Sequence, residues 1–74
     1  MILGKVKKVI EEQLGISESE ITLDAKFEKW YADELDVAEI VMDCEDIFNI
    51  EIPDEALEKV QTVGDLVDYI TSHT

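Results

Sequence analysis

The feature that most limits what this chain can fold into is the stretch Asp33 to Phe48, whose apolar and acidic residues separate onto two sides of a helix. At 3.6 residues per turn, Val37, Ile40, Val41, Cys44, Ile47 and Phe48 share one broad face, which must be buried. Asp36, Glu39, Asp43 and Asp46 form a stripe beside it that must face water or a partner. Leu35 and Met42 fall at the far edge of that stripe, away from the centre of the buried face. Two apolar groups framed by carboxylates suggest a docking surface. The same pattern also suits a solvated helix face with two residues tucked against a loop.

One amphipathic helix cannot bury its own face, so the rest of the chain has to cover it. Ile2, Val6, Val9, Ile10 and Leu14 follow helical spacing and predict a first helix over residues 2–14, with Gly15 closing it in a left-handed conformation. Lys5, Lys7 and Lys8 near its start and Glu11 and Glu12 near its end oppose the helix dipole, so packing must hold it. From Ile16 to Ala32 no period is sustained. Ile16, Ile21, Leu23 and Phe27 are expected to pin an ordered loop to the core, and Ser17 with Glu20 has the spacing of a capped short turn. Trp30 and Tyr31 are expected to cover the end of the core, with ligand stacking as the alternative.

Asp33 is a suitable N-cap, with Asp36 as its reciprocal partner, and Asn49 ends the helix. Ile50, Ile52 and Pro53 predict an extended link. Asp54 can cap a short helix containing Ala56, Leu57 and Val60. Thr62 with Asp65 opens a last helix with Val63, Leu66, Val67 and Ile70 inside, ending near Ser72 and leaving His73 at a frayed terminus. The expected fold is all-α, with three main helices, one short helix and a long first loop.

With 74 residues the chain is expected to form one domain over 1–74, held by about 3 to 5 kcal/mol from a single core. Its net charge is -13, and between Asp33 and Glu58 there are 11 of the 19 acids and no Lys or Arg. Added salt or divalent cations should therefore stabilise it. That charge repels nucleic acid and favours basic protein partners reached by electrostatic steering. No apolar run approaches the roughly 20 residues needed to span a bilayer, and the N-terminus lacks a signal-peptide layout. No membrane insertion, a cytoplasmic location and a monomer are the expectations.

Catalytic chemistry finds little support. The only histidine is His73, and Cys44, the only cysteine, lies on the buried face as a small core residue. Neither can complete a triad, and the protein is not expected to be an enzyme. Asp43 to Asp54 lacks the mid-loop glycine of a calcium hand, and Gly4, Gly15 and Gly64 are too isolated to cradle phosphate. No metal site is expected, although loose divalent binding to the acidic stripe stays open.

Taken together, Ala32-Asp-Glu-Leu-Asp36, Glu39-Ile-Val-Met42, Phe48, Glu51-Ile-Pro-Asp-Glu55, Glu58-Lys59, Thr62-Val63 and Asp68-Tyr-Ile70 closely resemble the acyl carrier protein family. The resemblance covers nearly the whole chain and implies that family's four-helix bundle. It also implies a partner-docking surface of Leu35, Asp36, Glu39, Met42, Glu45, Asp46, Ile52 and Asp54, meeting basic patches on acyl-transferring, condensing or related enzymes of fatty-acid or polyketide-type metabolism.

The family's cofactor, 4'-phosphopantetheine, is attached to a serine in an Asp-Ser-Leu motif, but here the residues are Asp33-Glu34-Leu35. Glu34 offers no hydroxyl, so no cofactor is expected. Trp30-Tyr31 also replaces the usual Leu-Gly, and the run from Phe27 to Asp33 looks one residue short. Two accounts fit. The chain is a specialised member that docks an enzyme as a subunit, scaffold or competitor, or it is a working carrier whose serine has been substituted by engineering. The second change at Trp30-Tyr31 favours the first. Glu34 itself either mimics the modified state by its charge or is simply a good first-turn residue.

Overall fold

The computed structural model describes residues 2–74, and four α-helices form among them: α1 (Ile2–Leu14), α2 (Glu34–Phe48), α3 (Asp54–Leu57) and α4 (Val63–Ser72). The all-α bundle with one short helix and a long first connection is the architecture that the residue pattern predicts. Helix ends fall where local chemistry puts them. Gly15 is left-handed at φ 69° after α1, and Asn49 at φ 55° after α2. Asp33 Oδ1 accepts the Asp36 N–H at 2.9 Å while Asp36 Oδ2 accepts the Asp33 N–H at 3.2 Å, satisfying two donors that a helix start otherwise leaves free. Thr62 and Asp65 repeat this reciprocal cap on α4, at 3.0 and 3.1 Å.

The core lies among α1, α2 and α4. Val6 and Ile10, Ile40, Val41 and Cys44, and Val63, Leu66 and Ile70 are buried there, and among the described residues no polar or charged one is buried with them. Each such aliphatic side chain contributes about 1.5 to 3 kcal/mol. This burial outweighs the few tenths lost to the unfavourable charge order of α1. The Cys44 thiol is pushed up to about 12, chiefly by burial and secondarily by the adjacent Asp43 carboxylate, so it stays neutral and acts as an apolar filler.

The first connection holds two 3-10 turns, Glu18–Glu20 and Phe27–Trp30. Ser17 caps the first, but its hydroxyl takes the Ser19 N–H at 3.4 Å, one residue short of the Glu20 that its spacing suggested. The second has no period to reveal it. Ile21 and Phe27 are buried anchors, as expected, and Ile16 is half-buried. Leu23 is not an anchor by its side chain, which is half-exposed, and its hold on the core comes from its backbone. The Leu23 carbonyl accepts the Gly64 N–H at 2.7 Å, the Ala25 carbonyl accepts the Val63 N–H at 3.0 Å, and Phe27 N–H donates to the Gln61 carbonyl at 3.0 Å. These three bonds clip the loop to the head of α4.

Other expectations need correcting. Ile47 is 47% exposed, because it lies at an open groove between α1 and α2 where Lys5, Lys8, Glu12, Asp43 and Asp46 outnumber the one other apolar residue, Val9. Asp54 is the first residue of α3 rather than its cap; Pro53 holds that place without a side-chain bond, and Val60 lies beyond the helix. Tyr31 does not cover the core, since only Trp30 turns inward, edge-on to Phe27 at 6.2 Å. His73 is held at the end of α4, with its ring stacked on Tyr69 at 4.0 Å and Nδ1 2.8 Å from the Tyr69 carbonyl.

The clip explains Gly64, where an added Cβ would come within 2.8 Å of the Leu23 carbonyl oxygen, whereas one at Gly4 would meet nothing within 4 Å. Gly64→Ala should destabilise the fold by about 1 to 3 kcal/mol through this overlap. Gly4→Ala should stabilise it by about 0.5 to 1 kcal/mol through helix propensity alone. Chemical denaturation of both variants separates the close approach from a generic glycine effect.

Candidate functional site

On the exposed side of α2, Leu35, Glu39, Met42 and Asp46 recur at intervals of four, three and four residues and therefore lie in one line along the helix. Leu35 is 74% exposed and Met42 60%, far more than packing in a monomer requires. Glu39 and Asp46 are also exposed, and Asp54 at the start of α3 joins them. The line alternates apolar and acidic groups.

Four residues expected on this face are placed differently by the fold. Asp36 is half-buried and its carboxylate closes the cap of α2, while Asp43 accepts a 2.6 Å bond from Gln13 Nε2 on α1. Glu45 is half-buried, and its Oε2 accepts the Ile52 N–H at 2.7 Å. Ile52 itself is a core residue, 6% exposed, so the expectation that it meets a partner is corrected. The extended link after Asn49 turns that side chain inward, and its backbone secures the link to α2. Alternation along α2 could not reveal this division, because a carboxylate on a helix edge looks the same whether it caps, braces or faces water.

Glu34 opens α2 directly after its cap residue Asp33, and both are exposed. Behind them lies an open cleft of about 410 Å³ between the second 3-10 turn, the head of α2 and α3. Phe27, Val37, Leu57 and Val60 give it apolar walls, and Glu28, Glu34 and Glu58 line it with carboxylates. None of its lining residues is Ser, Thr, Cys or His. Ser17 and Ser19 bond to each other at 3.0 Å in the first 3-10 turn, and Ser72 is at the end of α4. Among the described residues, Asp33, Glu34 and Leu35 at the head of α2 include no serine or threonine.

A larger cleft, about 520 Å³, lies between α3 and the far half of α4 and holds Ser72 and His73. His73 Nδ1 is engaged with the Tyr69 carbonyl, and no hydrogen bond links the ring to Ser72, so the pair is not an activated nucleophile. Among the described residues no three His, Cys, Asp or Glu side chains converge to hold a metal ion, and no helix is long and apolar enough to cross a membrane.

Residues 4–70 match a family model described as "Phosphopantetheine attachment site". The chain is 48% identical over 75 aligned residues to a protein named "Acyl carrier protein" from Clostridium acetobutylicum, with 100% of this chain and 97% of that relative covered. The alignment is one position longer than the 74 residues of this chain.

The division of carboxylates predicts unequal effects of removing them. Glu45→Ala should lower stability by about 1 to 3 kcal/mol, because it leaves the part-buried Ile52 N–H without its charged acceptor. Asp46→Ala should change stability by less than about 0.5 kcal/mol. Equal losses in urea denaturation would contradict the assignment of Glu45 as a brace.

Proposed function

The chain belongs to the acyl carrier protein family, and from that premise we propose that it docks acyl-handling enzymes without carrying 4'-phosphopantetheine. Members of this family are carriers rather than catalysts, so no catalytic residue is assigned. Phosphopantetheine in a carrier supplies a flexible thiol to which an acyl group is esterified. Holding it covalently requires a hydroxyl, and the residues at the head of α2 do not fit that requirement.

The observation that carries the reading is the exposed Glu34 in the first position of α2, flanked by Asp33 and Leu35. A carboxylate there is favoured by the positive end of the helix, worth up to about 1 kcal/mol, and keeps negative charge near where a phosphodiester would stand. Glu34 thus suits a permanent imitation of the modified state. The exposed Leu35, Glu39, Met42 and Asp46, with Asp54, supply the docking surface. The function follows from the combination: a single domain that occupies the carrier site of a basic partner as a subunit, scaffold or competitor. A substitution of the serine alone would not account for Trp30 and Tyr31, which also depart from the pattern.

Two experiments test this. Incubated with coenzyme A and a broad-specificity phosphopantetheinyl transferase, the unaltered protein should gain no mass, while Glu34→Ser should be modified slowly, because the exposed Tyr31 stands just before the head of α2. Modification of the unaltered chain would defeat the proposal. Separately, Glu39→Lys and Asp46→Lys should slow association with a basic condensing or acyl-transferring enzyme, since exposed charges act mainly on the encounter, whereas Met42→Ala should speed dissociation. Binding kinetics indifferent to all three would place the interaction elsewhere on the surface.

A further inference from the structure

We propose that Tyr31 is a contact residue for the partner enzyme, presenting its ring beside the head of α2 to an arginine on the partner's basic surface. The inference rests on the docking function and names one contact within it.

Among the described residues three have left-handed backbones: Gly15 at φ 69°, Asn49 at φ 55° and Tyr31 at φ 57°. Each follows a helical segment and turns the chain away from it. Glycine has no Cβ to clash and asparagine tolerates this region, but for a bulky side chain the conformation costs about 1 to 2 kcal/mol. The backbone at Tyr31 cannot relax, because its N–H donates to the Glu28 carbonyl at 3.0 Å and the Ala32 N–H donates to the Phe27 carbonyl at 3.3 Å. These bonds close the second 3-10 turn and aim the chain at Asp33. The fold requires the conformation there and does not require a tyrosine.

The side chain returns nothing to the fold. It is 94% exposed, more than any other large apolar residue described, and its hydroxyl takes part in none of the side-chain hydrogen bonds among the described residues. Trp30 beside it is half-buried against Phe27, so exposure is not forced on both aromatics by the loop. A strained residue with no internal partner has its use outside the fold.

Its surroundings specify what it would hold. Asp33 and Glu34 follow within three residues, both exposed, and Leu35 comes next with 74% of its surface free. A tyrosine face next to carboxylates suits a guanidinium, which stacks on the ring while its fork meets a carboxylate. Lysine lacks that planar fork. The partner surface is therefore an arginine at the rim of an apolar depression that accepts Leu35.

The test titrates the protein and its variants against a purified condensing enzyme from the protein's own host, with thermal midpoints measured alongside. Tyr31→Gly should raise the midpoint by a few degrees by relieving the backbone. The same change should weaken binding roughly tenfold or more. Tyr31→Phe should keep most of the affinity, since the ring is the contact. A Tyr31→Gly variant that binds as tightly as the unaltered protein, while Glu39→Lys still weakens binding, would overturn this contact and leave the docking function standing. A lowered midpoint for Tyr31→Gly would show that the ring serves the fold, and would also overturn it. Failure of the unaltered protein to bind would defeat the docking function and this contact with it.

Discussion

The three backbone hydrogen bonds between residues 23–27 and 61–64 are the constraint on which the functional end of the molecule depends. They tie the long first connection to the head of α4, so that the second 3-10 turn and then Asp33 are delivered in a fixed place. Side chains alone could not do this, because Leu23 is half-exposed and only Ile21, Ala25 and Phe27 in that stretch are buried. Gly64 is the residue that allows the two backbones to approach. The Asp65 cap works at the same junction, since its Oδ2 accepts both the Gln61 and Thr62 N–H groups, which hold its carboxyl below the usual carboxylate range. A depressed carboxyl pKa contributes stability above its ordinary value of 3.8 and loses it as pH falls through the lower folded value, so this junction loosens only in strong acid.

From that junction the molecule separates stabilising charge from free charge. Asp33 and Asp36 close the start of α2, Glu45 braces the link to α3, and Asp43 reaches Gln13 on α1. Glu39, Asp46 and Asp54 have no such duty and stay exposed with Leu35 and Met42. Lys5 and Lys8 of α1 share a groove with Asp43 and Asp46, but the sequence from Asp33 to Glu58 supplies no lysine of its own, so its carboxylates repel one another and weaken the fold. In the proposed function the same carboxylates steer a basic partner toward α2, which sets stability against recognition on one helix. Under the proposed contact, the left-handed Tyr31 extends that opposition to the backbone.

Much of this was legible in the residues. The period of Val37, Ile40, Val41 and Cys44, the caps at Asp33 and Thr62, and the stops at Gly15 and Asn49 are local signals, and the helices end where they indicate. Leu35 and Met42 stood out because they are apolar where the helix should be polar. What stayed hidden is non-local. Ile52 and Ile47 exchange their expected surroundings because burial there depends on which partner element arrives, and Leu23 binds through a carbonyl that every residue has. The turn at Phe27–Trp30 carries no periodic signal, and the strain at Tyr31 follows from a backbone angle that its side chain does not announce.

The central claim is that a carrier-family fold has kept its recognition face and given up its cargo at Glu34. The most direct measurement is the intact mass of the protein purified from its own host, where every transferase and partner it normally meets has had access to it. The account predicts the mass of the unmodified chain. A species heavier by one phosphopantetheine group would contradict it.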